Sequence, residues 1–346
     1  MDACTVTSHP ARFPATYAIH AAEGSQATRR RPGTLAPMCY SAKVTQSLKE
    51  YLRLTGAVAD LAQIETVIQH RLTDSAVRIS RGFERNFDEP KSEQELRIRA
   101  LLERYRDENV TRLEQEVFTQ KKRLADAQRK LKEKETKSAH NDERIASNKI
   151  EAALEKLPLL KGTQAHRNDD RIFPMSYAPI VMEVDGKRWV RLARYHLRQA
   201  GTPASIDRKY PGLYNARRDN LQKFWRQQFT KKHALMLTTS FFENVDRDGK
   251  NVVLHFKPQP AQLMWIACLY DEWQDSNDGT SLLSFAAVTD EPPEEVRAAG
   301  HDRMIINIQP TNADRWLNPA NCTTEELQSI LTERQAPYYE HAVAAA

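Results

Sequence analysis

The sequence has no long hydrophobic run. Its longest wholly apolar stretch, Leu263 to Tyr270, has eight residues, whereas a membrane-spanning helix needs about 20. Residues 1–37 also lack the continuous apolar core of about 7–15 residues that marks a secretory signal. The sequence therefore argues against a transmembrane helix and against a membrane partner.

Cysteine is scarce and dispersed. The four cysteines, Cys4, Cys39, Cys268 and Cys322, form no Cys-x-x-Cys pair and have no paired histidines nearby. This spacing argues against a structural zinc site and against a disulfide framework. We therefore predict no metal site and no cofactor, and a reducing compartment fits best.

Neither sign of charge dominates. The chain has 51 Lys+Arg against 46 Asp+Glu, a net charge of +5, and its hydrophobic fraction of 40% is enough for a packed core. A mildly basic chain permits a nucleic-acid partner without requiring one. Composition alone thus leaves both binding proteins and enzymes open.

The first 37 residues differ from the rest. They contain four prolines, an arginine run at 29–31 and only two acids, Asp2 and Glu23, with no apolar periodicity. This composition predicts a disordered leader. A mis-assigned start, with Met38 as the true first residue, is the plainer interpretation, and an organelle transit peptide is a third.

Two helical regions follow. Apolar residues recur mostly at steps of three and four from Ser41 to about Arg81, which predicts helix there. Residues 91–157 contain no Gly or Pro and are rich in charge, with a thin heptad seam from Val110 to Leu131. We predict a charged, coiled-coil-like insert over 91–157, either a long helix or an antiparallel hairpin. A nucleic-acid arm and a merely solvated face are its two functional interpretations.

After Pro158 the pattern changes to short β-rich runs. Asp185-Gly186 and Asp248-Gly249 each separate two such runs and predict hairpins, and short helices fit between, including one from Arg217 to Thr230. Thr323 stands three residues before Glu326, a capping pattern for a last helix. The predicted fold class is α+β: a mixed, mainly antiparallel β core with flanking helices and a long charged helical insertion.

These boundaries give a domain plan. We predict one domain over 38–330, interrupted by the 91–157 insert and followed by a C-terminal tail at 331–346. Within that domain, four short segments carry chemistry: Met38-Cys39-Tyr40, Asn215-Ala216-Arg217, Phe241-Phe242-Glu243 and His301-Asp302-Arg303-Met304. Each alone has an ordinary structural interpretation, such as a buried Cys or a loop His.

Together and in this order, the four segments resemble the SOS-response-associated peptidase family. Its members begin Met-Cys and carry Asn-Ala-Arg, an aromatic pair followed by Glu, and His-Asp-Arg-Met. The resemblance is weak from Met38 to about Arg81 and good from Phe173 to about Pro319. The chain departs from the family pattern at 194–198, where Arg-Tyr-His-Leu-Arg replaces Trp-Gly-Leu-Ile-Pro, and in the length of the charged insert.

The resemblance implies a protein that shields abasic sites in single-stranded DNA through a covalent bond. An N-terminal Cys39 offers an α-amine and a thiol, which together convert the sugar aldehyde into a thiazolidine ring. An α-amine with a pKa of about 7.7–8.0 is far more often neutral at physiological pH than a Lys amine at about 10.4. Autoproteolytic exposure of Cys39 would explain the family name, so hydrolase, protease and lyase activities are implied as well.

The other segments acquire roles through the same resemblance. Glu243 is expected as general acid/base, His301 as proton shuttle and Asn215 as the group that positions Cys39 and the sugar. Trp225 belongs to an apolar helical stripe and is expected in the core, although it and Phe241 are also candidates for base stacking. The expected DNA-binding residues are Arg217, Arg218, Arg194, Arg198, Arg303, Tyr195 and Pro179.

The implied partner is single-stranded DNA containing abasic sites, and the insert is a candidate contact for a replication or repair partner. The implied localisation is cytoplasmic and nucleoid-associated. Two other functions fit the same residues. One is a processing peptidase acting in trans through Cys39 or Glu243, and the other is a non-covalent single-stranded DNA-binding module.

Overall fold

The computed structural model describes residues 41–44, 47–162 and 169–344. Cys39 and the predicted leader lie outside the described residues. The strands are β1 (Ser41–Val44), β2 (Val58–Ala59), β3 (Arg78–Ile79), β4 (Arg171–Ile172), β5 (Ser176–Val184), β6 (Lys187–Tyr195), β7 (Asn215–Arg217), β8 (His233–Arg247), β9 (Lys250–Gln259), β10 (Met264–Gln274), β11 (Ser281–Asp290), β12 (Met304–Ile305), β13 (Asn307–Ile308) and β14 (Tyr338–Val343).

Ten α-helices accompany the strands in the described part of the chain. They are α1 (Leu48–Thr55), α2 (Leu61–Thr73), α3 (Arg81–Glu84), α4 (Glu93–Glu133), α5 (Lys137–Leu160), α6 (Ile206–Lys209), α7 (Arg226–Lys231), α8 (Glu294–Ala298), α9 (Ala313–Leu317) and α10 (Thr324–Thr332).

Five strands form a closed ring. β10, β11, β6, β5 and β8 pair in that order, and β8 returns to pair with β10. Most pairings are antiparallel, but β6 runs parallel to β11. The predicted class, a mainly antiparallel β core with flanking helices and a charged helical insertion, is confirmed.

Local sequence sets the hairpins and the last helix. Asp185 and Gly186 have φ of +51° and +72°, and Asp248 and Gly249 have φ of +54° and +75°. Two consecutive positive φ values match the right-handed twist of the flanking strands, as in type I′ turns. Thr323 and Glu326 cap α10 reciprocally, as predicted.

The ring separates two cores. Its inner cluster includes Ile180, Met236 and Ile266, and an outer cluster packs the opposite faces of the same strands against helices such as α2. Alternation along the strands divides the residues between the two clusters, because successive side chains point to opposite faces. In β8 the phase changes at a register shift between Thr238 and Ser240, so the inner residues are Ala234 and Met236 before it and Phe241 and Val245 after it. Trp225, expected in the core, is 3% exposed and belongs to the outer cluster.

A tyrosine from α1 completes the pairing of two strands. β5 and β8 pair at Val181 with Leu235, and the same register would bring Pro179 opposite Leu237. The Tyr51 hydroxyl lies there instead, donating to the Pro179 carbonyl at 3.0 Å and accepting from the Leu237 N–H at 3.0 Å. Because proline has no N–H to offer a ladder, the hydroxyl satisfies the groups that the strands cannot satisfy mutually.

Two helix predictions were wrong in part. The Ser41–Arg81 region contains α1 and α2, but Ser41–Val44 is a strand. The helix predicted from Arg217 begins only at Arg226, and Asn215–Arg217 is β7. In both cases pairing with a neighbouring strand, β8 for the first and β11 for the second, overrides local helix propensity.

The charged insert is an antiparallel pair of helices, α4 and α5. Ion pairs join Arg123 to Asp142 at 2.6 Å and Lys149 to Glu116 at 3.1 Å, which fixes the register. In that register the buried residues of the two helices oppose one another at heptad intervals: Leu113, Gln120 and Ala127 face Ala153, Ala146 and Ala139. Helix α5 continues through Pro158 to Leu160, three residues past the predicted end.

The C-terminal region predicted as a tail, 331–346, contains β14, which pairs with β9. Among the described residues, no helix combines the length and the apolarity needed to cross a membrane.

The buried alanines of α5, which we call the alanine seam, are Ala139, Ala146 and Ala153. They limit the size of the side chains that the α4–α5 interface accepts. Ala146 is fully buried between α4 and α5, whereas Ala152 on the same helix is exposed. Ala146→Leu should destabilise the hairpin by about 1–3 kcal/mol, because added methylenes overpack a close interface. Ala152→Leu should change stability by less than about 0.5 kcal/mol. Hydrogen exchange of α4 and α5 measures both, and equal protection in the two variants would contradict the seam.

Candidate active site

Strand β8 points Glu243 into the ring. Phe241 and Val245, two residues to either side, belong to the inner cluster, so Glu243 shares their face. Its side chain is almost completely buried, with 3% of the residue exposed. Burial disfavours the ionised carboxylate and raises the pKa of Glu243 from 4.5 to about 7.

His301 approaches this carboxyl from the loop before β12. Gly300 precedes it with a φ of +102°, a conformation that L side chains rarely adopt. The His301 Nε2 atom lies 3.0 Å from Glu243 Oε2. Its Nδ1 atom lies 2.8 Å from the Arg303 carbonyl oxygen. Since a carbonyl can only accept, Nδ1 carries the proton in this contact.

The two groups adjust each other's protonation. Burial is the largest single influence on His301 and lowers its pKa, but the hydrogen bond and charge of Glu243, the Arg303 carbonyl and Asp302 together outweigh it. The net pKa of His301 is raised above 6.5. The pKa of Glu243 therefore lies near neutral pH. That is the range in which a general acid/base is most effective.

Asn215 lies on β7, which runs parallel to β11 with Asn215 opposite Ala287. Its Oδ1 atom is buried and has no hydrogen-bond partner among the described residues. An unsatisfied buried acceptor costs about 1–3 kcal/mol. Tyr195 lies near both β7 and Glu243. Its ring centre is 5.7 Å from that of Tyr214, the residue before Asn215. Burial, Tyr214 and the charge of Glu243 all contribute to raising the pKa of Tyr195.

Three of the predicted DNA-binding arginines line one cavity. Arg217, Arg218 and Arg303 surround a space of about 210 Å³ beside the His301 loop. Each has an acidic neighbour: Arg217 pairs with Asp219 at 2.7 Å, Arg218 with Asp290 at 3.0 Å, and Arg303 approaches Asp302 at 3.6 Å. Arg217 is the most exposed of the three side chains, at 44%.

The other two predicted arginines lie elsewhere. Arg194 and Arg198 both pair with Asp207, at 2.8 and 2.5 Å, and Arg198 also lies 4.3 Å over the Trp273 ring. Burial lowers the pKa of Arg194 despite Asp207. None of these contacts involves Glu243 or His301.

The predicted aromatic contacts are part of the core. Tyr195 stacks on Phe285 at 5.0 Å and Phe241 on Phe256 at 5.0 Å, and both tyrosine and phenylalanine are fully buried. Pro179 is buried in β5 and its carbonyl accepts from Tyr51. Tyr195 and Phe241 belong to the inner cluster, whereas Pro179 lies on the face of β5 that carries Tyr177 and Val181 of the outer cluster.

A group of basic and aromatic residues on the outer face of β8 was not predicted from the sequence. We call it the Phe242 patch: Lys43, Arg171, Phe242, His255 and Lys257. Strand alternation gives a signal for it, since Lys43, Phe242 and His255 fall on one face once β1, β8 and β9 are aligned. That alignment is not readable from one sequence.

Ser41 starts the first described segment and lies opposite Phe242 in the β1–β8 pairing. Phe242 immediately precedes Glu243, so the described part of β1 begins beside the acid. As for metals, no group of three or more His, Cys, Asp or Glu residues with ligand geometry occurs among the described residues.

Known proteins resemble this chain over part of its length. A family model described as SOS response associated peptidase matches residues 135–345. "Abasic site processing protein YoqW" of Bacillus subtilis is 30% identical over 122 residues, 34% of this chain and 54% of that protein. "Abasic site processing protein YMR114C" of Saccharomyces cerevisiae is 30% identical over 124 residues, 34% of this chain and 32% of that protein. The chain thus spans about half the length, or less, of these relatives.

Solved structures show a partial likeness. A protein from Bacteroides thetaiotaomicron is 20% identical, with a TM-score of 0.42, over 49% of this chain and 74% of that one. A protein from Bordetella bronchiseptica is 17% identical, also with a TM-score of 0.42, over 51% of this chain and 88% of that one.

The Glu243–His301 pair predicts a pH-dependent cost in stability. The pKa of Glu243 is about 7 in the folded protein against an ordinary 4.5. At pH values between these two, the folded state therefore binds more protons than the unfolded chain. Stability from this group therefore falls as pH rises, and the raised pKa of His301 acts in the same direction. Between about pH 5 and pH 8, Glu243→Gln should gain up to about 3 kcal/mol over the native chain.

Urea unfolding across that pH range measures the difference. Glu340→Gln, at an exposed position of β14, is the matched control and should follow the native chain at every pH. A Glu243→Gln curve that stays parallel to the native one would contradict the assignment of a raised pKa to this carboxyl.

Proposed function

The chain belongs to the SOS response associated peptidase family, and we propose that it processes abasic sites in single-stranded DNA by forming a covalent thiazolidine through Cys39. The observation that carries this proposal is the buried Glu243–His301 pair, with its 3.0 Å contact. The names of the relatives from Bacillus subtilis and Saccharomyces cerevisiae, both abasic site processing proteins, support the substrate class.

The position of Cys39 in the sequence supports a role beside this pair. Cys39 stands only two residues before Ser41 in the sequence. Ser41 in turn lies opposite Phe242, the neighbour of Glu243. Cleavage or removal of the preceding residues would then present an α-amine and a thiol close to the acid.

The proposed reaction balances without a cofactor. The neutral α-amine of Cys39 adds to the aldehyde carbon of the open sugar, and the resulting carbinolamine loses water to give an imine. The thiolate then adds to the imine carbon, the nitrogen takes up the electron pair and a proton, and a thiazolidine ring closes. The net change is one C–N and one C–S bond formed and one water released.

Each of the other residues has a role in this proposal. His301 and Glu243 move the protons of ring opening and water loss, since the pKa of Glu243 is about 7 and that of His301 is raised above its ordinary value. Asn215 accepts a hydrogen bond from the amine through its unsatisfied Oδ1. Arg217, Arg218 and Arg303 bind phosphates at the cavity that they line.

The proposal predicts which changes stop crosslinking. A chain beginning at Met38 is mixed with a single-stranded oligonucleotide that carries one abasic site, and the products are separated on a denaturing gel. Cys39→Ala should give no shifted band, because both bonds require that residue. Glu243→Gln should slow the reaction by about 10²–10⁴-fold, as expected for loss of an acid/base.

The matched control is Cys322→Ala, which removes the partly exposed cysteine among the described residues and should leave the band unchanged. A band retained by Cys39→Ala would overturn the proposal. Multiple turnover of a peptide by the Met38 chain would favour the processing peptidase, and salt-sensitive binding with no covalent product would favour the DNA-binding module. The full 346-residue chain, run alongside, tests whether the protein exposes Cys39 itself.

A further inference from the structure

The Phe242 patch is a layered arrangement. The Arg171 guanidinium carbon lies 3.8 Å from the Phe242 ring centre, and the His255 ring stacks on the same ring at 4.1 Å with planes 9° apart. The Arg171 Nε–H also donates to the Ser41 hydroxyl at 2.8 Å. These contacts bury Phe242, which is 8% exposed, and fix Arg171 and His255 beside the point where β1 begins.

Two lysines border these residues. Lys43 and Lys257 lie opposite Ser240 on either side of β8, the first by direct register and the second by continuing the β8–β9 pairing. Lys257 is exposed and Lys43 half-buried. Arg171 lies opposite Lys43 in the β1–β4 register, so three cationic residues lie on the strand face that carries Phe242.

No carboxylate neutralises the two lysines. Within the described ranges, neither Lys43 nor Lys257 has an acidic oxygen within ion-pair distance, although Glu340 faces Lys257 in register. The Glu340 carboxylate instead accepts from the Gln259 amide at 2.8 Å. The positive charges also act on His255. Burial, Lys257, Lys43 and Arg171 together lower the pKa of His255 to about 4.

This distinguishes the patch from the arginines predicted to bind DNA. Arg194 and Arg198 share Asp207, and Arg217 and Arg218 each have their own aspartate. Like charges brought together without a counter-charge repel one another and cost stability. Lys43 and Lys257 carry this cost, and an anion bound beside these two lysines would supply a counter-charge.

We propose that the Phe242 patch binds phosphodiester groups of the single-stranded DNA that flanks the reacting nucleotide. The proposal rests on the proposed function for its ligand, because Ser41 ties the patch to the segment that carries Cys39. Lys43 and Lys257 supply mobile ammonium groups for two successive phosphates. Arg171 and His255 are fixed on the Phe242 ring beside these lysines.

The test uses an intact single-stranded oligonucleotide without an abasic site, so that covalent chemistry plays no part. Non-covalent affinity is measured by fluorescence anisotropy over a range of salt concentrations. Each phosphate contact on single strands contributes about 0.7 to the salt slope. The double variant Lys43→Gln/Lys257→Gln should therefore lose about 1.4 in slope and roughly 10- to 30-fold in affinity at about 0.1 M salt.

The matched control is Lys223→Gln/Lys231→Gln, which removes two exposed lysines before β8 and should leave slope and affinity unchanged. Circular dichroism confirms that both double variants fold. Equal slopes for the patch variant and the native chain would overturn the proposal. Equal losses in both double variants would overturn it as well, since binding would then follow net charge and not this surface.

A second arm separates DNA from free phosphate. Inorganic phosphate is titrated calorimetrically into the native chain and the patch variant. Binding of inorganic phosphate that the variant loses, with unchanged oligonucleotide affinity, would overturn the DNA assignment. Because Cys39→Ala retains the whole patch, it should bind the intact oligonucleotide as the native chain does. Failure of crosslinking and failure of the patch are thus observed in different assays.

Discussion

Strand β8 pairs along its first half with β5 and β10 and along its second half with β1 and β9. The first half closes the ring, and the second half carries Glu243 inward and Phe242 outward. One continuous backbone therefore sets the distance between the buried acid, the outer basic surface and the start of β1. A shift of one residue in this strand would exchange the inner and outer faces and dismantle both.

Burial and charge pairing divide the polar residues of this fold into two kinds. Arg194 and Asp207 neutralise each other in the interior, where an unpaired charge is costly. Within the described segments, Glu243 pairs with His301, and it remains partly protonated near neutral pH. Lys43 and Lys257 have no acidic partner in the described ranges, and they lie at the surface, where solvent screens their repulsion. The groups proposed here for proton transfer and for phosphate binding, Glu243, Lys43 and Lys257, are therefore ones that no opposite charge in the described ranges fully neutralises.

The sequence predicts the local features well, because the physical cause lies within a few residues. The Asp248-Gly249 turn and the Thr323 capping box follow from backbone conformation and from one side chain each. Long-range pairings are different. That Ser41 begins a strand depends on β8, far along the chain, and that Asp207 engages Arg194 could not be expected from any motif. The Glu243–His301 contact was accessible only through the family resemblance, since no local pattern connects the two.

The Tyr51 hydroxyl bridges β5 and β8 by donating to one strand and accepting from the other. Burial raises the pKa of this phenol, so it keeps its proton at every pH at which Glu243 and His301 exchange theirs. The hydrogen bonds of Tyr51 between β5 and β8 therefore do not change over the pH range in which Glu243 and His301 titrate. The protein can change the protonation of its reactive groups while the strands that position them keep one hydrogen-bonding pattern.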